Sequence, residues 1–434
     1  MTEAALSIAD VSPAKAEDTI SLYGWAIALI CLLAQFFGNG MVAVFGVFLL
    51  PLSTEFEVGV SQMSLGMVIY ILVTCLSSPL IGALLKPGRI KLIMLSGTVL
   101  MACSMLVLSR ASSLLVLAGG MVMLSISFSL YGAIPSTVII SQWYERRRGR
   151  ALALMAMGIS IAGFTLPPLA AWLLESMGWR PALLILGLCG SLSLLLVFLF
   201  WLQENPESLS RPLSSVGSMH KPLGQAPEKD SLSGSERAEL EASNRHLAKS
   251  SSFWLIGLSF GVINTTLIVF SVYFIPYLQS LGLSVVESAS LLALAGASGL
   301  LGKIAIGWLA DYFQGHAISL LLVLQAVLVS SWYLFGAVQS YTAMVVVLVA
   351  MMGAAQGGTV PLQPYINGQL FGVARLGKVT GLHALFLLPF VLPAVPLVGY
   401  FVDSSGSYQV LFYGGSSLYA MSLLFALWAR VQKS

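Results

Sequence analysis

The sequence predicts an all-α membrane protein in which twelve transmembrane helices form two six-helix, pseudo-symmetric bundles. Three observations lead there. Hydrophobic residues make up 57% of the 434 and charged residues only 9%, whereas roughly a quarter of a soluble domain is charged. Apolar runs of about 20 residues, the length a helix needs to cross the hydrocarbon core, recur twelve times between charged or turn-rich breaks. The last six runs also echo the first six.

In chain order, the first twenty residues hold four acids and one lysine. They lack the apolar core of a signal peptide, so residues 1–20 read as a polar tail. An N-terminal bundle, 21–203, follows, with spans at 23–50, 61–85, 90–110, 112–142, 149–175 and 180–203. Residues 204–250 are rich in Ser, Glu, Lys and Arg without a sustained apolar face, which is the composition of a solvated linker. The C-terminal bundle, 251–431, has spans at 252–280, 285–312, 316–338, 341–370, 377–402 and 408–430, and 432–434 form a short tail. The cysteines, Cys31, Cys75, Cys103 and Cys189, lie singly in apolar runs. They suit small hydrophobes better than metal ligands or a disulfide framework.

The basic residues orient these spans. Lys86, Arg89 and Lys91 follow the second span, Arg146, Arg147, Arg148 and Arg150 follow the fourth, and Arg375 and Lys378 precede the eleventh. With the linker and both tails included, all of the 21 but Arg110, Arg180 and Lys303 fall on one side. The positive-inside rule makes that side, with the linker and both termini, cytoplasmic in a cell membrane.

The halves repeat. At an offset of 225, Phe45–Pro51 falls on Phe270–Pro276 and Gly82 on Gly307. At an offset of 228, Arg147, Gly149 and Arg150 fall on Arg375, Gly377 and Lys378, and Pro168 on Pro396. Parallel repeats of six helices are one architecture of secondary transporters, with substrate held between the halves near the midplane.

Lys303 stands inside the eighth span, eight residues before Asp311, or roughly 12 Å along a helix. Its stem could snorkel to the headgroups. The glycines at 299, 302 and 307 suggest instead a closely packed face, where an ammonium needs water, a partner or a ligand. No acid lies within a predicted span, since Glu287 and Asp311 sit near the ends of the eighth. A lone buried cation favours an anionic substrate that neutralises it. His383, inside the eleventh span, is a second proton-coupling candidate beside Lys303, or a neutral histidine bonded within the bundle. Asn39 and Asn264, paired by the 225 offset, and Tyr131 and Gln356, paired likewise, are candidates to line a substrate cavity or to bond helix to helix.

At these residues the chain resembles the major facilitator superfamily over essentially its whole length. Gly307-Trp-Leu-Ala-Asp311-Tyr-Phe313 is similar to that superfamily's loop signature. Gly82-Ala-Leu-Leu-Lys86-Pro-Gly-Arg89 is its first-half counterpart, with Lys86 where an aspartate is usual. The stretch Trp143–Gly163, with its Arg146, Arg147 and Arg150, resembles the signature of the monocarboxylate-transporter and oxalate–formate-antiporter branch, as does Tyr23-Gly-Trp25. That branch carries an arginine where this chain has Lys303, and its monocarboxylate carriers an aspartate where this chain has Gly299. The resemblance implies a secondary active transporter of a small organic anion, with Gly82, Arg89, Gly307, Asp311, Arg146, Arg147 and Arg150 in the gating loops. Proton coupling through the branch's ion pair does not carry over.

The expected partners are a small organic anion, a proton or counter-anion, and the bilayer, with no nucleic acid. No phosphate-cradling motif or metal cluster is legible, so neither a cofactor nor catalysis is expected. Proton symport, anion exchange, carriage of a neutral or amphipathic solute, and a receptor with this fold are the readings left open. The orientation is testable: cysteine placed at Ser233 is expected to resist a membrane-impermeant maleimide in intact cells, and labelling from outside would reverse the topology.

Overall fold

The computed structural model describes residues 13–86, 88–144, 147–204, 250–283, 285–338, 343–405 and 407–431. Within them, fourteen α-helices build twelve spans long and apolar enough to cross a membrane. The first half comprises α1 (Pro13–Glu55), α2 (Val60–Leu84), α3 (Ile90–Ser109), α4 (Leu114–Tyr131), α5 (Ala133–Trp143), α6 (Arg148–Met177) and α7 (Trp179–Trp201). The second comprises α8 (Ser251–Ser280), α9 (Val285–Tyr312), α10 (Ala317–Gly336), α11 (Ala343–Phe371), α12 (Leu376–Leu385), α13 (Leu388–Ser405) and α14 (Gln409–Val431).

Three elements differ from the sequence expectation. Helix α1 starts at Pro13, inside the expected tail; proline suits a first helical turn, where its missing N–H costs nothing. The fourth span divides into α4 and α5 at Gly132, whose ψ of −135° leaves the helical region. A side chain there would run into the Phe128 carbonyl and ring. The eleventh span divides into α12 and α13. Phe386 and Leu387 turn their N–H groups back onto the His383 and Ala384 carbonyls at 3.1 and 3.3 Å, and Pro389 has no N–H with which to continue the ladder.

Lipid is as apolar as leucine, so these helices associate by close backbone approach and polar bonds rather than by escaping water. Helix α9 lies on α11 through Gly299 and Gly302 on one side and Gly353 and Gly357 on the other. A Cβ at 302 would overlap the Ala354 carbonyl, and one at 357 the Gly299 carbonyl. Gly158 brings α6 onto the Leu32 carbonyl of α1 in the same way. Gln325 ties three helices together, donating to Ser259 Oγ at 2.9 Å and Ser422 Oγ at 2.7 Å. Leu115 and Leu22, 83% and 73% exposed, belong to the face left for acyl chains.

The halves meet on the face that carries the linker. Gly82 of α2 abuts the Gly377 carbonyl of α12, Gly381 abuts the Ser78 carbonyl, and Gly149 of α6 meets Gly307 of α9. Farther from that face, Ser160 bonds Lys303 and Phe164 rests on Gly296. One residue before Phe164, Gly163 faces open space. On the opposite face Arg180, an exception to the charge bias, pairs with Glu55 at 2.8 Å. The guanidinium holds the Glu55 carboxyl below the usual range by hydrogen bond and charge. Close backbone contacts between the halves thus gather at the end where α2 meets α12 and α6 meets α9.

The glycine seam makes a stability prediction. Gly302→Val is expected to destabilise the protein by about 1–3 kcal/mol, because the Ala354 carbonyl cannot retreat. Gly163→Val, which meets open space, is expected to stay within about 0.5 kcal/mol. Denaturant unfolding in detergent micelles checks both, and equal losses would refute the seam.

Candidate functional site

The site is built on the seam between α6 and α9, where each half presents one long helix to the other. On α9, the tight α11 contact at Gly299 and Gly302 turns the next residue, Lys303, away from lipid. Lys303 is 4% exposed, and its Nζ donates to Ser160 Oγ of α6 at 2.6 Å. No acidic side chain partners it among the described residues. Position 299, one turn earlier, carries no acid, and a Cβ there would stand 3.2 Å from the Gly353 carbonyl, a tight contact with α11. The ammonium thus bridges the halves through a neutral hydroxyl.

Two turns nearer the linker face, the same seam closes by charge. Helix α6 begins without a side-chain cap of its own, leaving its first N–H groups unbonded and its dipole's positive end exposed. Asp311 supplies the cap from the other half, accepting from the Gly149 N–H at 2.7 Å and the Arg150 N–H at 3.0 Å. Arg150 Nε stands 3.7 Å from the same carboxylate, and its guanidinium lies over the Trp308 ring. Gly149 and Gly307 let the backbones approach closely enough for this. Arg148 runs the opposite way: it is buried, donates to the Tyr365 carbonyl of α11 at 3.1 Å and lies 4.9 Å from that ring's centre.

The first-half counterpart is built differently. Lys86 stands where an aspartate would mirror Asp311, and a cation cannot cap the helix start at Arg375. The turn after α2 is held within its own half instead. Glu204, at the end of the sixth span, accepts from the Gly88 N–H and, at 2.9 Å, from the Lys91 N–H. Arg89 occupies the N-cap position of α3, exposed, and Gly82 keeps its close contact with α12. Arg147 is exposed at the start of α6, and Arg146 lies outside the described residues.

None of the other sequence candidates is hydrogen-bonded to Lys303 among the described residues. Asn39 donates to the Gln35 carbonyl and side chain on its own helix, at 3.2 and 2.9 Å. Asn264 likewise donates to the Phe260 carbonyl at 2.9 Å. Both are only half-buried. Tyr131 is fully enclosed in the first half, with its hydroxyl 3.3 Å from Met101 Sδ. Gln356 is buried in the second half and donates to Tyr419 at 3.1 Å. His383 lies among Phe253, Phe371 and Phe386, with Nε2 3.0 Å from the Phe253 carbonyl. A separate apolar cavity of about 490 Å³ between α8, α10, α13 and α14, lined by Val262, Trp332, Pro389 and Leu418, contains none of these candidates.

Sequence reasoning missed Ser160, Tyr365, Arg148 as an inward-turned group, and Glu204. Arg148 is indistinguishable from its neighbours in a run of arginines. Glu204 alone carried a signal, as the first acid after an apolar span and opposite a basic turn.

The geometry agrees with comparison to known proteins. Monocarboxylate transporter 13 of Rattus norvegicus is 29% identical over 390 residues, covering 90% of this chain and 85% of that one. Monocarboxylate transporter 12 of Homo sapiens is 25% identical, covering 93% and 80%. Among solved structures, the proton:xylose symporter XylE superposes with a TM-score of 0.69 at 15% identity over 95% of both chains. FucP in the outward conformation superposes with a TM-score of 0.68 at 14% identity, over 94% of this chain and 98% of that one; at such identities the likeness is one of fold. The sequence profile of the Major Facilitator Superfamily matches residues 28–388, and the chain belongs to that family.

Proposed function

We propose that the protein is a secondary active transporter of a small organic anion, a monocarboxylate, working by alternating access with proton symport. Lys303 carries this reading. A cation buried at mid-span, bonded across the seam to a hydroxyl and to no carboxylate among the described residues, is best neutralised by the ligand. The relatives named monocarboxylate transporters support the same substrate class. With the linker and termini cytoplasmic, as the basic residues argue, the face where Gly82, Gly149 and Gly307 make their close contacts is the inner one.

Coupling follows from the same charge. Returning empty with an unneutralised ammonium is unfavourable, so the carrier either loses the proton or returns with another anion. The first route is symport. The second is exchange, and the lack of an acidic neighbour keeps it as the alternative. Lys303 suits the proton's role better than His383. With its proton on Nε2 bonded to the Phe253 carbonyl, His383 has Nδ1 buried without a partner among the described residues. A second proton there would find no acceptor. In this reading Asn39 and Asn264 orient polar parts of the substrate, while Tyr131 and Gln356 brace their own halves.

The test is uptake into proteoliposomes of radiolabelled acetate, pyruvate, benzoate and succinate. Lys303→Met is expected to lower kcat/KM at least about tenfold, the loss of a charge-assisted bond. Lys303→Arg should keep part of the activity, and His383→Gln should leave proton-coupled uptake intact. Wild-type protein that takes up none of the four, or a well-folded Lys303→Met at the wild-type rate, sinks the reading. Exchange without net proton entry would replace symport by the alternative.

A further inference from the structure

We propose that Ser160 is the second arm of the anion site, positioning the Lys303 ammonium and donating its own hydroxyl proton to the same carboxylate. The inference rests on the transport reading above and adds a residue, from the other half, that neither the superfamily's loop signature nor the charge pattern marks.

Most hydroxyls on these helices are satisfied by their own backbone. Thr165 donates to the Ile161 carbonyl at 2.8 Å, one turn from Ser160, and Ser176 to the Leu173 carbonyl at 3.1 Å. Ser160 differs. Its oxygen accepts from Lys303 at 2.6 Å, and it makes no other hydrogen bond among the described residues. One O–H therefore remains, beside the two N–H donors that the ammonium has left after meeting Ser160. These three donors lie together, one set on α6 and one on α9, half-buried and buried respectively.

An ionised carboxylate is acceptor-only, with two oxygens, and matches such a cluster. A lysine alone is a point charge on a flexible stem and orients a carboxylate loosely. The serine supplies the direction that the single charge lacks. It also makes the bound anion touch both halves at once, so that binding is felt where the halves must move. The seam around the pair is already close, with Phe164 on Gly296 on one side and Gly149 against Gly307 on the other, so the donors keep their places without substrate.

Counterflow of acetate, pyruvate, benzoate and succinate in proteoliposomes, with the full-length protein, tests the assignment. For whichever acid the wild type carries, Ser160→Ala is expected to raise KM about tenfold, the loss of one bond to a charged group, while kcat changes less than twofold. Ser160→Thr keeps the hydroxyl and should regain most of that loss. Ser160→Asp supplies an internal counter-ion and should raise KM further than Ser160→Ala. If Ser160→Ala keeps the wild-type KM while Lys303→Met is defective, the serine assignment falls and the transport reading stands. A kcat loss of equal size in Ser160→Ala and Ser160→Thr would mark a merely structural seam and likewise overturn it. If the wild type carries none of the acids, both fall.

Discussion

A charge in hydrocarbon must be answered within a few ångströms, and this chain's architecture follows from how two such charges are answered across one seam. Asp311 is met by the open N-terminus of α6, a ready-made positive pole, with Arg150 Nε 3.7 Å from the same carboxylate. Lys303 is met by a hydroxyl, which satisfies a hydrogen bond but cancels no charge. The first site is therefore complete in itself, and the second waits for something. In the proposed function the seam thus joins a structural closure to a ligand-dependent one, two helical turns apart.

Glycine makes that division possible. Without Gly149 and Gly307 the α6 amides would stand too far from Asp311, and without Gly299 and Gly302 helix α9 could not press into α11 and aim Lys303 at the other half. Gly299 does more than save space. It stands one turn before Lys303, where it brings close contact with α11 and no acid. Close packing at this turn and a lysine with no acidic partner among the described residues thus occur together on α9.

Much of this was legible before any coordinates. Hydropathy and basic turns mark the spans because lipid tolerates neither charge nor unbonded backbone, and the repeat aligns Gly82 with Gly307 because both sit at crossings between the halves. Helix breaks were less legible: Gly132 and the Phe386–Leu387 turn interrupt apolar runs that read as continuous. Side-chain direction was least legible. Tyr131 and Gln356 are related by the repeat, yet each turns into its own half. A one-dimensional pattern reports which residues share an environment and not which partner each faces. Ser160 shows this best, because its importance comes wholly from a residue on another helix.

The cap on α6 reads backbone, not side chains. Asp311 grips two amide groups that any residues but proline would offer, so changes at the exposed Arg147 leave those two bonds intact. Three things on the α6 side are not free to drift: the phase of the helix, which sets where those amides point, the smallness of residue 149, and the buried Arg148 bonded to the Tyr365 carbonyl. Lineages descending from such a carrier can therefore change the exposed charge at 147, while an insertion or deletion of a single residue there would be purged.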